Sequence, residues 1–264
     1  DPLRFQIYWR AGAQIEPFRG LTIDAVYAQD IYNTFGSIRR PADSVLPHVR
    51  SDTARYLKEG SSGIENLSLT FLKQLTPEVY GRLSGGYLED MFGGIDAELL
   101  YRPFGSRWAV GGEIAHVWQR DFDRLFKFQH YEVTTGHVSL YYESPWYGLN
   151  FRIHAGHYLA RDWGATFEVA RHFENGAEVS AYATLTNVPF AKYGEGSFDK
   201  GISIKLPIDF FSLFSTRQIA KLTLQPLTRD GGARLNVAHR LYDETVPVSY
   251  GEVQRTFGDF LAYR

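Results

Sequence analysis

Residues 165–186 have the sequence ATFEVARHFENGAEVSAYATLT, and this stretch decides the fold class. In its first half, Ala165 and Phe167 alternate with Thr166 and Glu168. The same alternation continues beyond the central Glu-Asn-Gly. A period of two residues is typical of a β-strand with one apolar and one polar face. Because an Asn-Gly pair between two such runs predicts a hairpin turn, we expect two neighbouring antiparallel strands here.

The same period recurs along most of the chain. Clear examples are residues 3–10 and 149–159, where apolar or aromatic residues alternate with polar ones. We count about twelve to fourteen such segments of roughly 8 to 12 residues, which is long for a soluble sheet. The chain is therefore predicted to be all-β, with antiparallel neighbours joined by short turns. The expected turns lie at residues 76–77, 92–94, 103–106, 144–145, 174–176 and 230–232.

One region interrupts this rhythm. Residues 37–63 form the longest stretch without alternation, and they include the sequence SDTARYLKEG at 51–60. Ser51 or Asp52 is a suitable N-cap for a helix, and Gly60 is a suitable residue to end one. We predict a loop between two strands that carries one short helix near residues 51–59.

Two β architectures share this alternation. In a soluble sandwich the apolar side chains face a second sheet and the polar ones face water. In a transmembrane barrel the apolar side chains face lipid, the polar ones face the lumen, and aromatic residues ring both interfaces. The alternation alone leaves both open. Long strands, 17 Tyr, 19 Phe and 5 Trp, and the absence of Cys favour an antiparallel transmembrane β-barrel of the outer-membrane type.

The chain shows no linker and no exact internal repeat. Residues 1–264 are therefore predicted to form a single β-barrel domain. That domain either closes by itself or is part of a larger barrel or a longer chain. About a dozen strands lie between the eight that side chains fill and the sixteen or more that leave an aqueous channel, so the pore width stays open.

Composition excludes several other classes of protein. The apolar content of 44% lies near the globular average, which excludes a disordered chain. Lys and Arg together number 28 against 30 Asp and Glu, so no basic surplus indicates a nucleic-acid partner. The longest apolar run has four residues, whereas a membrane helix needs about 20. Because there is no Cys, thiolate metal sites, thiol nucleophiles and disulfides are excluded as well.

No motif predicts a metal site or a nucleophilic active site. His154 and His157 are three residues apart on a predicted strand, so they point to opposite faces and do not share an ion. Ser139 and His137 lie on one strand face, but the Gly-x-Ser-x-Gly motif of a hydrolase is absent. We therefore expect no metal and no cofactor.

A pair of carboxylates can hydrolyse a glycosidic bond, and the polar phase offers candidates. Four glutamates are close enough in the strand pattern to meet across strands: Glu98, Glu113, Glu168 and Glu178. Acids scattered over a hydrated lumen explain these residues more simply. We therefore expect that the protein is not an enzyme.

Several motifs carry a resemblance to a known family. Residues 46–52 (LPHVRSD) and 83–94 (LSGGYLEDMFGG) begin the series. Further matches follow in one order at residues 100–105, 108–111, 119–122, 134–137, 194–201 and 226–232. Together these motifs are similar to the YjbH family of outer-membrane exopolysaccharide proteins, which includes the GfcD-like capsule proteins. Family members are considerably longer, and the chain resembles their C-terminal portion.

This resemblance implies an outer-membrane β-barrel of a Gram-negative bacterium that works in exopolysaccharide or capsule secretion. The implied partners are polysaccharide, outer-membrane lipid, a periplasmic polysaccharide-export protein, and a second chain or segment that completes the barrel. In such a barrel the polar phase lines the lumen. The candidate lumen-lining residues are Arg4, Gln6, Tyr8, Glu98, Arg102, Glu113, Arg152, His154, Tyr158, Glu168, His172, Tyr182 and Thr184. Candidate loop contacts to polymer or partner are Glu195, Asp199, Lys200, Arg229 and Asp230.

Three functions fit these features. The first is a conduit, because a hydroxyl-rich polymer needs a wet path with hydrogen-bonding walls. The second is a non-conducting scaffold or polysaccharide-binding barrel, which predicts negligible conductance in a planar bilayer. The third is a polysaccharide-modifying enzyme, which predicts loss of polymer cleavage when Glu98 or Glu113 is replaced by Gln. The polar phase favours the conduit.

Overall fold

The structure, a computed structural model, describes residues 6–34, 44–173, 175–189, 198–207, 219–224 and 230–246. These residues contain twelve β-strands and two short helices. The strands are β1 (Gln6–Phe18), β2 (Leu21–Asn33), β3 (Gly63–Thr76), β4 (Val79–Tyr87), β5 (Phe92–Tyr101), β6 (Trp108–Arg120), β7 (Phe128–Glu143), β8 (Leu149–His157), β9 (Trp163–His172), β10 (Glu178–Thr186), β11 (Asp199–Pro207) and β12 (Ile219–Leu224). The helices are α1 (Thr53–Glu59) and α2 (Leu241–Thr245). The predicted all-β class is confirmed.

The twelve strands form one antiparallel sheet in which each strand pairs with the next along the chain. The hairpin predicted at residues 165–186 is present as β9 and β10, with Tyr182 opposite Glu168 and Thr184 opposite Thr166. Within the described residues, β1 and β12 each pair on one side only, so these strands do not close the sheet into a barrel. The antiparallel order is confirmed, whereas closure stays a prediction.

The connections between strands alternate between the two ends of the sheet. We call the end with residues 77–78, 102–107 and 144–148 the hairpin end. The opposite end, with residues 88–91 and 121–127 and the turn from Tyr158 to Asp162, is the loop end.

One predicted turn is wrong. Residues 92–94 lie inside β5, where Gly94 pairs with Val117 of β6. A side chain on Gly94 would collide with the carbonyl oxygen of His116. The glycine therefore allows close approach of two strands rather than a change of direction.

The hairpin expected at residues 230–232 is also wrong. The backbone turns there, and Gly232 has a φ of +74°, which glycine adopts without strain. Residues 233–240, which follow, contain no strand and lead into α2. The turn starts an irregular segment, residues 230–246, which we call the inserted segment.

The predicted helix near residues 51–59 is confirmed as α1. Asp52 is its N-cap residue, but no side chain caps the helix. The Asp52 carboxylate instead lies 3.2 Å from Nδ1 of His48. The Gly60 N–H donates to the carbonyl of Tyr56 at 2.9 Å and ends the helix, as expected. Neither helix among the described residues has the length and hydropathy needed to cross a membrane.

The sheet exposes its apolar side chains and covers its polar ones, which is the reverse of a soluble sandwich. On β5, Ile95 and Leu99 are 60% and 56% exposed, whereas Asp96 and Glu98 are 2% and 5% exposed. We call the apolar, exposed side the outer face and the polar, covered side the inner face. The sandwich hypothesis requires the apolar side chains to be buried against a second sheet, and this sheet exposes them.

Two parts of the chain cover the inner face. At the loop end, residues 44–60 and the first half of the inserted segment enclose an apolar cluster around Phe92, Val117 and Leu159. At the hairpin end, α2 packs in a smaller cluster with side chains of β5, β6 and β7. The middle of the inner face, between the two clusters, is polar.

Candidate functional site

The candidate site is the inner face together with the inserted segment, which runs from the loop end to the hairpin end. The guanidinium of Arg82 on β4 donates to the carbonyl of Ala238 at 2.6 Å. The Leu241 N–H donates to Glu98 on β5 at 3.2 Å. His239 lies 3.0 Å from the carboxylate of Asp24 on β2. The inserted segment thus contacts the inner face on β2, β4 and β5.

Glu113 on β6 is the ionic centre of this site. Arg234 donates to its Oε1 at 2.8 Å, and Arg240 pairs with its Oε2. His137 of β7 approaches the same carboxylate through Nδ1 at 3.1 Å. Burial alone would lower the pKa of Arg240, but Glu113 and Glu98 raise it above its usual value, so the guanidinium stays charged.

A second ionic group lies on the neighbouring strands. Arg82 pairs with Asp96 and lies 3.1 Å from Glu98, and its side chain is fully buried. Buried charges are stable only when they are paired in this way. Both acids of β5 thus share one arginine of the sheet, whereas Glu113 pairs with two arginines of the inserted segment.

Arg152 on β8 links the sheet to α2. Its guanidinium lies 3.4 Å from Glu168, 3.8 Å from Glu178 and 3.9 Å from Asp243 of the helix. Lys205 of β11 pairs with Glu178 at 2.8 Å. The two acids on β9 and β10 thus lie between a cation on β8 and a cation on β11.

The ring of Tyr242 fills the hairpin end of the site. It stacks on Tyr141 of β7, with ring centroids 3.9 Å apart and planes 7° from parallel. The guanidiniums of Arg102 and Arg152 lie 4.9 Å and 5.3 Å from the centre of the Tyr242 ring. Burial raises the pKa of Tyr242, so its phenol is neutral.

A hydrogen-bonded anchor holds the inserted segment at the loop end. The Asp230 carboxylate accepts from the N–H of Arg50 at 2.7 Å, and from the N–H and hydroxyl of Ser51 at 2.9 Å and 2.7 Å. The Arg50 guanidinium in turn makes two bonds to Glu89, at 2.6 Å and 3.0 Å. Glu89 also accepts from the N–H of Asn236 at 2.9 Å. The anchor therefore joins three separate parts of the chain.

Aromatic side chains gather near both ends of the outer face. At the hairpin end, Trp108 packs on Tyr142 with centroids 4.3 Å apart. Near the loop end lie Trp118 and Phe128, and Phe128 stacks with Tyr87 at 5.5 Å. Trp108 and Trp118 are separated by about 33 Å along β6 at roughly 3.3 Å per residue. In a barrel with strands tilted by about 40°, this length would correspond to a height of about 25 Å, which is that of a lipid-facing band.

The structure brings several candidate lumen residues together and leaves others apart. Those that meet the inserted segment are Glu98, Arg102, Glu113 and Arg152. Six more line the inner face or the loop end beside it: Gln6, His154, Tyr158, Glu168, Tyr182 and Thr184. His172 reaches Glu178 at 3.1 Å, whereas Tyr8 on β1 is half exposed. Arg4 lies outside the described residues.

The candidate loop contacts occupy different settings. Asp199 lies on the inner face of β11 opposite Thr184, and Lys200 is exposed on the same strand. Asp230 is buried in the anchor rather than displayed on a loop. Glu195 and Arg229 lie outside the described residues. A contact of these residues with polymer or partner stays a prediction.

Five residues of the site were not predicted from the sequence. Arg82 and Tyr141 lie on the polar phase of their strands, so the alternation itself was a signal for them. Arg234, Arg240 and Tyr242 lie in a stretch without alternation, and only the fold places them on the inner face. His154 bonds Ser139 on that face, whereas His157 lies on the outer face, and no group of metal ligands occurs among the described residues.

Comparison with known proteins assigns the family. A family model described as exopolysaccharide biosynthesis protein YbjH matches residues 1–246. A relative from Escherichia coli (strain K12), described as the uncharacterized lipoprotein YjbH, is 41% identical over 232 residues. The match covers 85% of this chain and 33% of the relative, so the chain spans about a third of that protein's length. The chain belongs to the YjbH family of exopolysaccharide biosynthesis proteins.

Proposed function

We propose that this chain forms the wall of an outer-membrane β-barrel that conducts exopolysaccharide, with the inserted segment closing the path. The single observation that carries this proposal is that the outer face of the sheet is apolar and exposed, whereas the inner face is polar and covered. Exposed apolar side chains line much of the outer face, an arrangement that is costly in water and favourable in lipid. Aromatic side chains near both ends of the outer face support the same placement.

Family membership supports the exopolysaccharide part of the proposal. The relative from Escherichia coli is described as a lipoprotein, which supports a place in the cell envelope. Because β1 and β12 each have one unpaired edge among the described residues, we propose that further strands complete the barrel. These strands come from the rest of a longer protein or from a second chain.

The inner face supplies a suitable wall for a polysaccharide. Its serine, threonine, histidine and charged side chains offer hydrogen bonds at every strand, and a sliding sugar chain can exchange them one at a time. The inserted segment occupies this wall and uses mainly ionic and hydrogen-bonded contacts in its middle part. Export therefore requires that the segment moves, and a periplasmic export protein is the partner that we propose for this step.

A second candidate is a non-conducting scaffold, and the inserted segment favours it. If the segment never leaves, the barrel holds the export complex in the membrane without passing polymer. We do not propose an enzyme. Glu98 and Glu113 face each other on β5 and β6, but arginines pair with both carboxylates.

Contact of the outer face with lipid can be tested by spin labelling. Because the chain has no Cys, a label attached to one introduced Cys reports on that position alone. A spin label at Val138→Cys on the outer face should collide with oxygen and be shielded from a water-soluble nickel chelate. A label at Phe104→Cys in a turn should show the opposite preference. Heating in SDS should also shift the electrophoretic mobility of the folded barrel when the strands that complete it are present. Nickel access at Val138→Cys, together with no mobility shift, would contradict the membrane barrel.

Conductance separates the two candidate functions. In a planar bilayer the wild-type protein should be closed, and Arg240→Gln, which weakens the contact with Glu113, should produce opening events. Lys73→Gln, on the outer face, is the matched control and should stay closed. Opening of Arg240→Gln alone supports the conduit, and closure of every variant supports the scaffold.

A further inference from the structure

Tyr141 is an unusual side chain for the inner face. It is an aromatic residue on the polar phase of β7, between Ser139 and the hairpin end. Its ring is 5% exposed because Tyr242 covers it in a nearly parallel stack. A flat aromatic ring in a polar wall is the usual platform for the apolar face of a sugar ring.

The groups around the Tyr242 ring match the rest of a sugar. The guanidiniums of Arg102 and Arg152 lie beside it, and the Tyr242 hydroxyl is 3.4 Å from the carboxylate of Glu143. Asp243, the next residue, places a carboxylate 3.9 Å from Arg152. α2 thus places its Tyr242 ring on Tyr141, the Tyr242 hydroxyl beside Glu143, and the Asp243 carboxylate beside Arg152. A sugar ring with hydroxyls and a carboxylate offers the same three groups.

We propose that Tyr141, Arg102, Arg152 and Glu143 form a subsite for an acidic pyranose, and that Tyr242 with Asp243 occupies it while the path is closed. The proposal rests on the proposed function, because it names the sugar class that the wall takes. The apolar face of the sugar stacks on Tyr141, its carboxylate takes the place of Asp243 beside Arg152, and its hydroxyls donate to Glu143, which Arg102 holds in place. Polymer and α2 therefore compete for one place.

The contacts of α2 are of a kind that a ligand can replace. Arg102 bonds the hydroxyl of Thr245 at 2.9 Å, and Glu98 accepts one N–H from Leu241. A polyhydroxylated acid offers an equivalent partner to each group. The anchor at Asp230 is far along the segment, at the loop end, so α2 can leave while the segment stays attached.

Binding to the folded protein in detergent tests the subsite, with a galacturonate hexamer as the acidic probe and maltohexaose as the neutral one. Tyr242→Ala should bind the acidic probe at least about tenfold more tightly than wild type, because the competing ring is gone. Tyr141→Ala added to Tyr242→Ala should abolish the gain, and Arg152→Gln should do the same. Maltohexaose should bind all variants weakly.

A second measurement tests the subsite without Tyr242→Ala, in case that variant does not fold. In the otherwise wild-type chain, a thiol at Thr245→Cys is buried, and the acidic probe should raise its rate of reaction with a water-soluble maleimide. Equal affinity of wild type and Tyr242→Ala, or no effect of the probe on the thiol, would overturn the subsite. If the heat-dependent mobility shift persists in that case, the subsite fails and the barrel stands. Loss of the shift in wild type counts against the barrel itself.

Discussion

Glu98 on β5 and Glu113 on β6 lie directly opposite each other on the inner face of the sheet. Like charges in such a cross-strand pair repel and destabilise the sheet unless cations neutralise them. Arg82, from within the sheet, lies beside both Glu98 and Asp96, so its one charge offsets only one of these two acids. Glu113 relies on Arg234 and Arg240, which both belong to the inserted segment. The Glu113 carboxylate is therefore paired with its two arginines only when the inserted segment lies on the sheet.

Replacing Glu113 by Gln should destabilise the folded protein. The change leaves two guanidiniums without their carboxylate in a mostly buried setting. We expect a loss of about 2–4 kcal/mol, somewhat less than for a fully buried pair, because these side chains keep some contact with water. Urea unfolding in detergent, followed by the heat-dependent mobility shift, measures the change.

The matched control for Glu113→Gln is Glu65→Gln. Glu65 pairs with Arg10 at 2.6 Å, but the Arg10 side chain is 59% exposed. Such exposed pairs contribute no more than about 1 kcal/mol. Equal midpoints for the two variants would show that the inserted segment does not depend on Glu113.

Placing a charge in the middle of the outer face should be costly only in a membrane. Ile114 and Val138 are 60% and 65% exposed, so in a soluble protein Arg at either position would change stability by about 0.5 kcal/mol or less. In a lipid-facing band the same change costs about 2–4 kcal/mol near the midplane. Unfolding from lipid vesicles measures this difference. Phe104→Arg, in an exposed turn, is the control and should be neutral, and equal stability of all three variants would contradict lipid contact.

The sequence predicts the sheet well because its signal is local. The alternation at β8, β9 and β10 and the Asn-Gly turn depend on neighbouring residues only, and all of them appear in the structure. The turn predicted at Gly93 and Gly94 is wrong because a glycine pair is suited both to a turn and to the close approach of two strands. The partner that decides between the two, the backbone at Val117, is distant in sequence.

The site was predicted only in part, for the same reason. Glu98, Glu113 and Arg152 were found because their strands alternate. The inserted segment has no period, and its conformation is set by long-range contacts such as that of Arg240 with Glu113. Helix α2 has five residues and no side-chain cap, so local propensity alone does not define it.

Removing the Asp230 carboxylate should loosen the loop end. Asp230→Ala leaves the N–H and hydroxyl of Ser51 without an acceptor in a buried place, at a cost of about 2–4 kcal/mol. Hydrogen exchange should speed up at residues 48–53. Asp52→Ala is the control, because the Asp52 carboxylate makes one longer, half-buried contact with His48 and should contribute less than about 1 kcal/mol. Unchanged exchange in Asp230→Ala would argue against the anchor.

The carboxyl group of Asp162 should give stability a dependence on pH. Asp162 accepts from the N–H of Gly232 at 2.8 Å, and burial raises its pKa above the usual value. Protonation therefore favours the folded state. The stability from this group is fully present below the unfolded pKa of about 3.9 and is lost as the pH rises through the higher folded value.

Asp162→Asn removes this dependence while keeping an oxygen acceptor for Gly232. Because Asn is neutral at every pH, the variant should be more stable than wild type at neutral pH, and its advantage should shrink in acid. Urea midpoints measured at pH 7.5 and at pH 4 test this expectation, with Asp123→Asn as the control, because the half-buried Asp123 carboxylate accepts one local N–H, from Leu125 at 2.9 Å. An advantage for Asp162→Asn that stays the same at both pH values would mean that the Asp162 carboxyl does not titrate with folding.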